Sequence, residues 1–84
     1  MSVEIKVLGS GCSNCRRLCA EVEKAIQQTG AAATVTKVED LREIMAFRIL
    51  ATPALVVNGE VKSAGRIPET SEIAAWLATA ANKQ

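Results

Sequence analysis

Three of the 84 residues carry a thiol, and all three fall in the first quarter of the chain, at Cys12, Cys15 and Cys19. Cys12 and Cys15 enclose Ser13-Asn14. That spacing, at the start of a helix, brings two Cα atoms within the ~4.4–6.8 Å that a disulfide tolerates, so the pair can be oxidised without rebuilding the fold. Cys12 falls at the edge of the predicted helix, where unpaired N–H groups and the helix dipole favour an anion. It is the expected nucleophile. Cys15 begins the apolar face that continues through Leu18, Cys19 and Val22, so it is expected to be buried and to act from within, as the resolving thiol. The implied chemistry is thiol–disulfide exchange through a mixed disulfide.

A CxxC pair also serves metals, and the opening of the chain allows a second reading. A strand, a Gly-containing loop, CxxC and an amphipathic helix also open the copper-carrier ferredoxin-like fold, in which two thiolates suit Cu(I). That family carries methionine two residues before the first cysteine, where this chain has Ser10, and its order of elements is βαββαβ. A closed zinc site would need a fourth ligand from a carboxylate or another chain, since there is no histidine. Cys19, one turn after Cys15, is read as a small core residue, and Arg16 and Arg17 as solvated charges.

The elements that position these thiols can be read from periodicity. Val3, Ile5 and Val7 alternate with Glu4 and Lys6, a strand with one face poorly covered, and Gly9-Ser10-Gly11 ends it as a loop giving access to Cys12. From Cys15, the positions Leu18, Cys19, Val22, Ala25, Ile26 and Thr29 follow the helical period up to Gly30. Thr34–Val38 is β-branched and reads as a strand. Asp40 can cap a short helix with Leu41, Ile44, Met45 and Phe47 as its apolar members, ending near Arg48 and before Thr52-Pro53. Ala54–Val57 is a continuous apolar run, as in a strand buried on both faces. Asn58-Gly59 and the alternating Glu60–Ala64 signal a hairpin with a type I′ turn. Pro68 suits the first turn of a last helix, Glu69 and Glu72 its positive end, and Ile73, Trp76, Leu77 and Ala80 its stripe. Trp76 and Met45 are read as core.

The predicted order is β-α-β-α-β-β-α. It implies an α/β domain spanning residues 1–84, with a four-stranded mixed sheet flanked by helices. With Ala51-Thr52-Pro53 before a buried strand, the CxxC turn, the Asn58-Gly59 hairpin and Gly65, nearly the whole chain resembles the thioredoxin-like fold. It is most similar to the small thioredoxin-like or glutaredoxin-like redox-active disulfide proteins. The resemblance implies that Pro53 is cis beside the cysteine pair, that Thr52 pairs with an extended segment of a protein disulfide substrate, and that Gly65 leaves room on the same surface. It implies no cofactor beyond the Cys12–Cys15 disulfide.

The chain departs from that pattern in several places. Gly11 stands where thioredoxins usually carry tryptophan, and Ser13-Asn14 replaces Gly-Pro. Lys6 occupies the place, six residues before the first cysteine, where they carry a buried acid. The Pro-Tyr of glutaredoxins is missing, and Ala64-Gly65-Arg66-Ile67 stands in place of their glycine and aspartate segment. A thioredoxin-reductase-like flavoenzyme is therefore the expected electron donor, in preference to glutathione.

Ten basic and nine acidic residues are interleaved and sum to +1, which gives no electrostatic footprint for nucleic acid or an anionic membrane. No apolar run approaches the ~20 residues of a membrane span, and Met1–Lys6 lacks the features of a leader. A cytoplasmic monomer is expected. Hydrophobic residues make up 49% of the chain, but the aromatics are only Phe47 and Trp76, so the core must be thin and built from aliphatic side chains and alanine.

Overall fold

The computed structural model describes residues 3–9, 13–49 and 51–82. Seven elements follow in the predicted order: β1 (Val3–Leu8), α1 (Ser13–Thr29), β2 (Ala33–Val38), α2 (Leu41–Ala46), β3 (Ala54–Val57), β4 (Glu60–Ala64) and α3 (Thr70–Asn82). The strands form one sheet in the order β2-β1-β3-β4. β1 and β2 are parallel, joined through α1, whereas β3 runs antiparallel to both β1 and β4. The mixed four-stranded sheet of the α/β fold is as expected.

Alternation along the strands sorts the core into two layers. Val3, Ile5 and Val7 of β1, with Leu55 and Val57 of β3, meet Leu18, Cys19, Val22 and Ala25 of α1 and Ile73 and Leu77 of α3. On the opposite face Leu8, Val38, Ala54 and Val56 meet Ile44, with Phe47 and Ile49 at the margin. β3 is buried along its whole length because it feeds both layers. The second layer is small, since α2 has six residues and covers only one end of the sheet. Beyond it, Lys6 lies half-buried, its Nζ 3.5 Å from Glu4 and 5.6 Å above the Phe47 ring.

The ends of the elements are set by local chemistry. Gly30, with φ of +67°, closes α1, and its N–H donates to the Ile26 carbonyl at 2.9 Å. Asp40 caps α2 by accepting from the Arg42 N–H at 2.8 Å. Asn58 and Gly59 have φ of +50° and +80°, as the hairpin signal requires. The Asn58 N–H and side-chain oxygen both bind the backbone of Glu4, at 2.7 and 2.8 Å, tying the turn to β1. A bulge at Leu55/Val56 leaves Lys62 as the extra residue of β4.

Several expectations are corrected. α1 begins at Ser13, two residues before Cys15, so Ser13 and Asn14 occupy its first turn. Thr29 is exposed, its hydroxyl donating to the Ala25 carbonyl at 2.9 Å. Leu41 and Met45 are 69% and 65% exposed: α2 is rotated so that Ile44 enters the core, and six residues cannot bury more than one narrow face. α2 ends at Ala46, with Arg48 at φ of +57°, well before Thr52-Pro53. Trp76 is half-buried against the margin of the first layer. Pro68 precedes α3 as a buried residue, outside its first turn. The Ile73 N–H donates to the Glu69 carbonyl at 3.1 Å, which makes Glu69 the cap. Glu72 reaches back to the Glu69 N–H at 3.3 Å, half of a capping box, and also holds both guanidinium nitrogens of Arg66 at 3.1 Å. The Thr70 hydroxyl donates to Glu21 at 2.5 Å, joining α3 to α1.

Leu18→Ala is expected to cost about 2–5 kcal/mol in denaturant unfolding, because the residue is wholly buried, whereas Met45→Ala should change little. The Thr70 and Lys24 hydrogen bonds hold the Glu21 carboxyl below the usual range, and the Arg66 hydrogen bonds do the same for Glu72. A lowered folded pKa contributes stability above the unfolded value, near ~4.3 for glutamate, that is lost as pH falls through the folded value. Thermal unfolding followed across that acid range should therefore show a shallower loss of stability in a variant carrying both Glu21→Gln and Glu72→Gln.

Candidate active site

β1 runs straight into Gly9, whose N–H donates to the Val38 carbonyl at 3.0 Å and so prolongs the parallel ladder by one residue. A Cβ on Gly9 would stand 2.1 Å from Cys15 Sγ and 3.9 Å from the Pro53 Cα. The sulfur of Cys15 therefore occupies the space that any side chain at position 9 would need. Cys15, the third residue of α1, is 6% exposed.

The Thr52-Pro53 peptide bond is cis. Pro53 is buried, and its carbonyl accepts from the Gly65 N–H at 2.9 Å; Thr52 is exposed. Gly65 has φ of +78°, and a Cβ there would lie 2.9 Å from the Ala51 Cβ, so both conformation and space call for glycine. Cys15, Pro53 and Gly65, widely separated in sequence, are thus brought to one end of the sheet, with the sulfur and the proline both against Gly9. Thr52 borders them on the solvent side. Cys12, the other expected site residue, lies outside the described residues, as do Ser10 and Gly11.

On the flank of Cys15 facing β2 an open cleft of about 500 Å³ is lined by Val7, Cys19, Arg16, Lys37 and Glu39 as well as Gly9 and Cys15 itself. Burial pushes the Cys19 thiol up, Lys37 draws it down and Glu23 adds to the rise. The net rise disfavours the nucleophilic thiolate at Cys19. Arg17 turns to a different groove, with Glu21, Pro68 and Glu69, so of the two arginines only Arg16 borders the cysteines. Three residues of this site escape a reading of the sequence. Gly9 looks like loop punctuation, and Lys37 and Glu39 look like solvated strand charges. Lys37 reaches the cleft through the β1–β2 register, which sets it opposite Val7. A glycine directly after an apolar strand and before CxxC was the available signal for the first.

The observed order, ending in a helix after a β3–β4 hairpin, is not the βαββαβ of the soft-metal carriers. Among the described residues no cluster of three or more potential metal ligands occurs, and no helix is long and apolar enough to cross a membrane.

Comparison with known proteins agrees with this architecture. The family described as "Thioredoxin domain" matches residues 3–78. A protein named thioredoxin from Methanothermobacter thermautotrophicus is 32% identical over 71 residues, 84% of this chain and 92% of its own length. One from Methanocaldococcus jannaschii is also 32% identical over 71 residues, 84% of this chain and 81% of its own. Among solved structures, chloroplastic thioredoxin z superposes with a TM-score of 0.70 at 17% identity, covering 94% of this chain and 78% of that one. Thioredoxin-2 of the malaria parasite superposes with a TM-score of 0.66 at 18% identity, covering 93% and 82%. These two likenesses carry the fold alone, whereas the family match and the archaeal relatives carry descent. With its CxxC motif and a buried Cys15 beside a cis-proline, the chain belongs to the thioredoxin family and is a thiol–disulfide oxidoreductase.

Proposed function

We propose that the chain reduces protein disulfides with Cys12 as nucleophile and Cys15 as resolving thiol. The observation that carries this assignment is the lodging of Cys15 Sγ against Gly9 and next to Pro53, where a bulky disulfide from outside cannot reach it. The Cys12 thiolate attacks one sulfur of the partner's disulfide; an S–S bond forms to Cys12 and the partner's other sulfur leaves as a thiolate. Cys15, deprotonated, then attacks the Cys12 sulfur. The Cys12–Cys15 bond forms, the bond to the partner breaks, and the partner leaves with its second thiolate. Two electrons pass from the cysteine pair to the partner.

Thr52 and Pro53 form the edge on which an extended substrate segment docks, and Gly65, bound to the Pro53 carbonyl, keeps that edge low. The working group is the Cys12–Cys15 disulfide, with no further cofactor. A thioredoxin-reductase-like flavoenzyme restores the dithiol, which agrees with the lack of the glutaredoxin segments. The chain acts as a cytoplasmic monomer, without nucleic acid or membrane partners. The balanced, interleaved charge supports that setting.

Turnover of a model protein disulfide, with dithiothreitol as reductant, checks the assignment. Cys12→Ser should abolish activity, Cys15→Ser should accumulate a mixed disulfide visible by mass spectrometry, and Cys19→Ala should keep most of the rate. Persistent activity in Cys12→Ser would sink the assignment. Gly9→Ala, by driving the Cys15 sulfur from its seat, should lower turnover at least about tenfold, a loss of ~1.4 kcal/mol in transition-state stabilisation.

A further inference from the structure

We propose that Ala51 is a positioning residue for substrate docking, its methyl group resting on Gly65 and so fixing the height of the Thr52-Pro53 edge; this rests on the docking role proposed above for that edge. The edge lies where two segments distant in sequence meet, the approach to β3 and the exit from β4. Ala54 pairs with Ala64, and one step further Pro53 stands against Gly65. In an antiparallel ladder a hydrogen-bonded pair exchanges two backbone bonds. Here the Gly65 N–H donates to the Pro53 carbonyl at 2.9 Å, but proline has no N–H with which to return the bond. Two segments joined by one hydrogen bond can still turn about it.

Ala51 supplies the second point of contact. A Cβ on Gly65 would lie 2.9 Å from the Ala51 Cβ, and among the described residues, apart from those flanking Gly65, no other atom comes within 4 Å of that position. One methyl group therefore accounts for the lack of space at position 65. Ala51 and Gly65 are both exposed, so their contact adds little to the core. What it constrains is the backbone between Ala51 and Pro53, which is Thr52.

The two contacts bracket Thr52, with the hydrogen bond on Pro53 after it and the methyl contact on Ala51 before it. Thr52 is exposed, and an extended segment that adds to such an edge binds through backbone groups whose spacing must match its own. Both halves of the Ala51–Gly65 contact matter. An alanine methyl has no rotamer by which to withdraw, so a side chain at position 65 must displace backbone at Ala51 and carry Thr52 with it. Removing the methyl from position 51 frees the same backbone to turn. The φ of +78° at Gly65 burdens any substitution there with strain that no change at Ala51 relieves.

The pre-reduced protein, with no other reductant present, is mixed with an excess of either a protein disulfide or a small dialkyl disulfide too short to pair with a strand edge. Loss of its dithiol is followed by rapid alkylation and mass spectrometry, and selectivity is the ratio of the two second-order rate constants. Gly65→Ala should lower that ratio at least about fivefold, with the half-saturating concentration of protein disulfide rising more than the limiting rate falls. Ala51→Gly should lower it about twofold or more, and adding Ala51→Gly to Gly65→Ala should raise it at least about twofold above Gly65→Ala alone, since the clash is gone and only the strain remains. A double variant no better than Gly65→Ala, or an unchanged ratio in Ala51→Gly, would overturn the role of Ala51. Equal slowing with both disulfides would do the same, because damage to the cysteines or to folding moves both rates together. If Gly65→Ala does not fold, the ratio in Ala51→Gly decides alone. An unsubstituted protein with no preference for the protein disulfide would instead overturn the docking edge itself, so the two failures are distinguishable.

Discussion

A sulfur atom seated 2.1 Å from where a Cβ would stand admits one residue type at position 9, and much of the molecule is arranged around that contact. The contact requires α1 to begin close above the end of β1. Leu18 and Val22, both wholly buried against the sheet, draw the helix down to that distance. It also requires β1 to be held at its far end, which the Val38 carbonyl does through the Gly9 N–H. Because the Pro53 Cα lies 3.9 Å from that same Cβ position, the sulfur, the glycine and the proline pack together. Displacing any member shifts the others, since a close-packed interior has no slack to absorb the change.

The same economy explains the asymmetry of the two layers. With two aromatic residues in the chain, the core depends on aliphatic side chains reaching across short distances. The face covered by α1 and α3 takes the longer strand segments and most of the buried volume. The face under α2 is closed only where β1, β2 and β3 converge on the site, through Leu8, Val38, Ala54, Val56 and Ile44. Where α2 stops, Lys6 spreads its stem over the sheet and keeps its ammonium near Phe47 and Glu4, as a long basic side chain can. Covering the site end of the sheet matters more than covering the rest, because the backbone that seats Cys15 and Pro53 lies there.

Legibility in the sequence follows the range of the interactions. The alternation in Val3–Val7, the apolar run Ala54–Val57 and the Asn58-Gly59 turn report local geometry, and each element appears where its residues place it. The cis bond at Pro53 and its link to Gly65 were readable through family resemblance, since an X–Pro dipeptide alone leaves trans favoured by about 0.5–1 kcal/mol. Leu41 and Met45 were misread because periodicity over six residues does not define which way a helix is rotated. Ile44 and the margin formed by Phe47 and Ile49 decide that, from the tertiary side. Pro68 was placed too far into α3 because proline suits the first turn equally well in isolation, and the Glu69 cap is a contact that only the folded loop reveals. The company of Cys15 in its cleft was least legible of all. It depends on the pairing of Val7 with Lys37, a register between strands separated by a whole helix.

That register also separates access from protection at Cys15. On the Gly9 side the Cys15 sulfur rests against backbone, which fits the proposed reservation of its reaction for Cys12. On the β2 side lies an open cleft whose lining includes the charged Arg16, Lys37 and Glu39. A thiol enclosed on both sides would pay the full desolvation cost of ionising, and one exposed on both sides would react indiscriminately with external disulfides. Placing the seal and the opening on opposite sides of one sulfur resolves the conflict. In this chain the seal is built by Gly9 and Pro53 and the opening by the end of β2, so a single hydrogen bond between Gly9 and Val38 couples them.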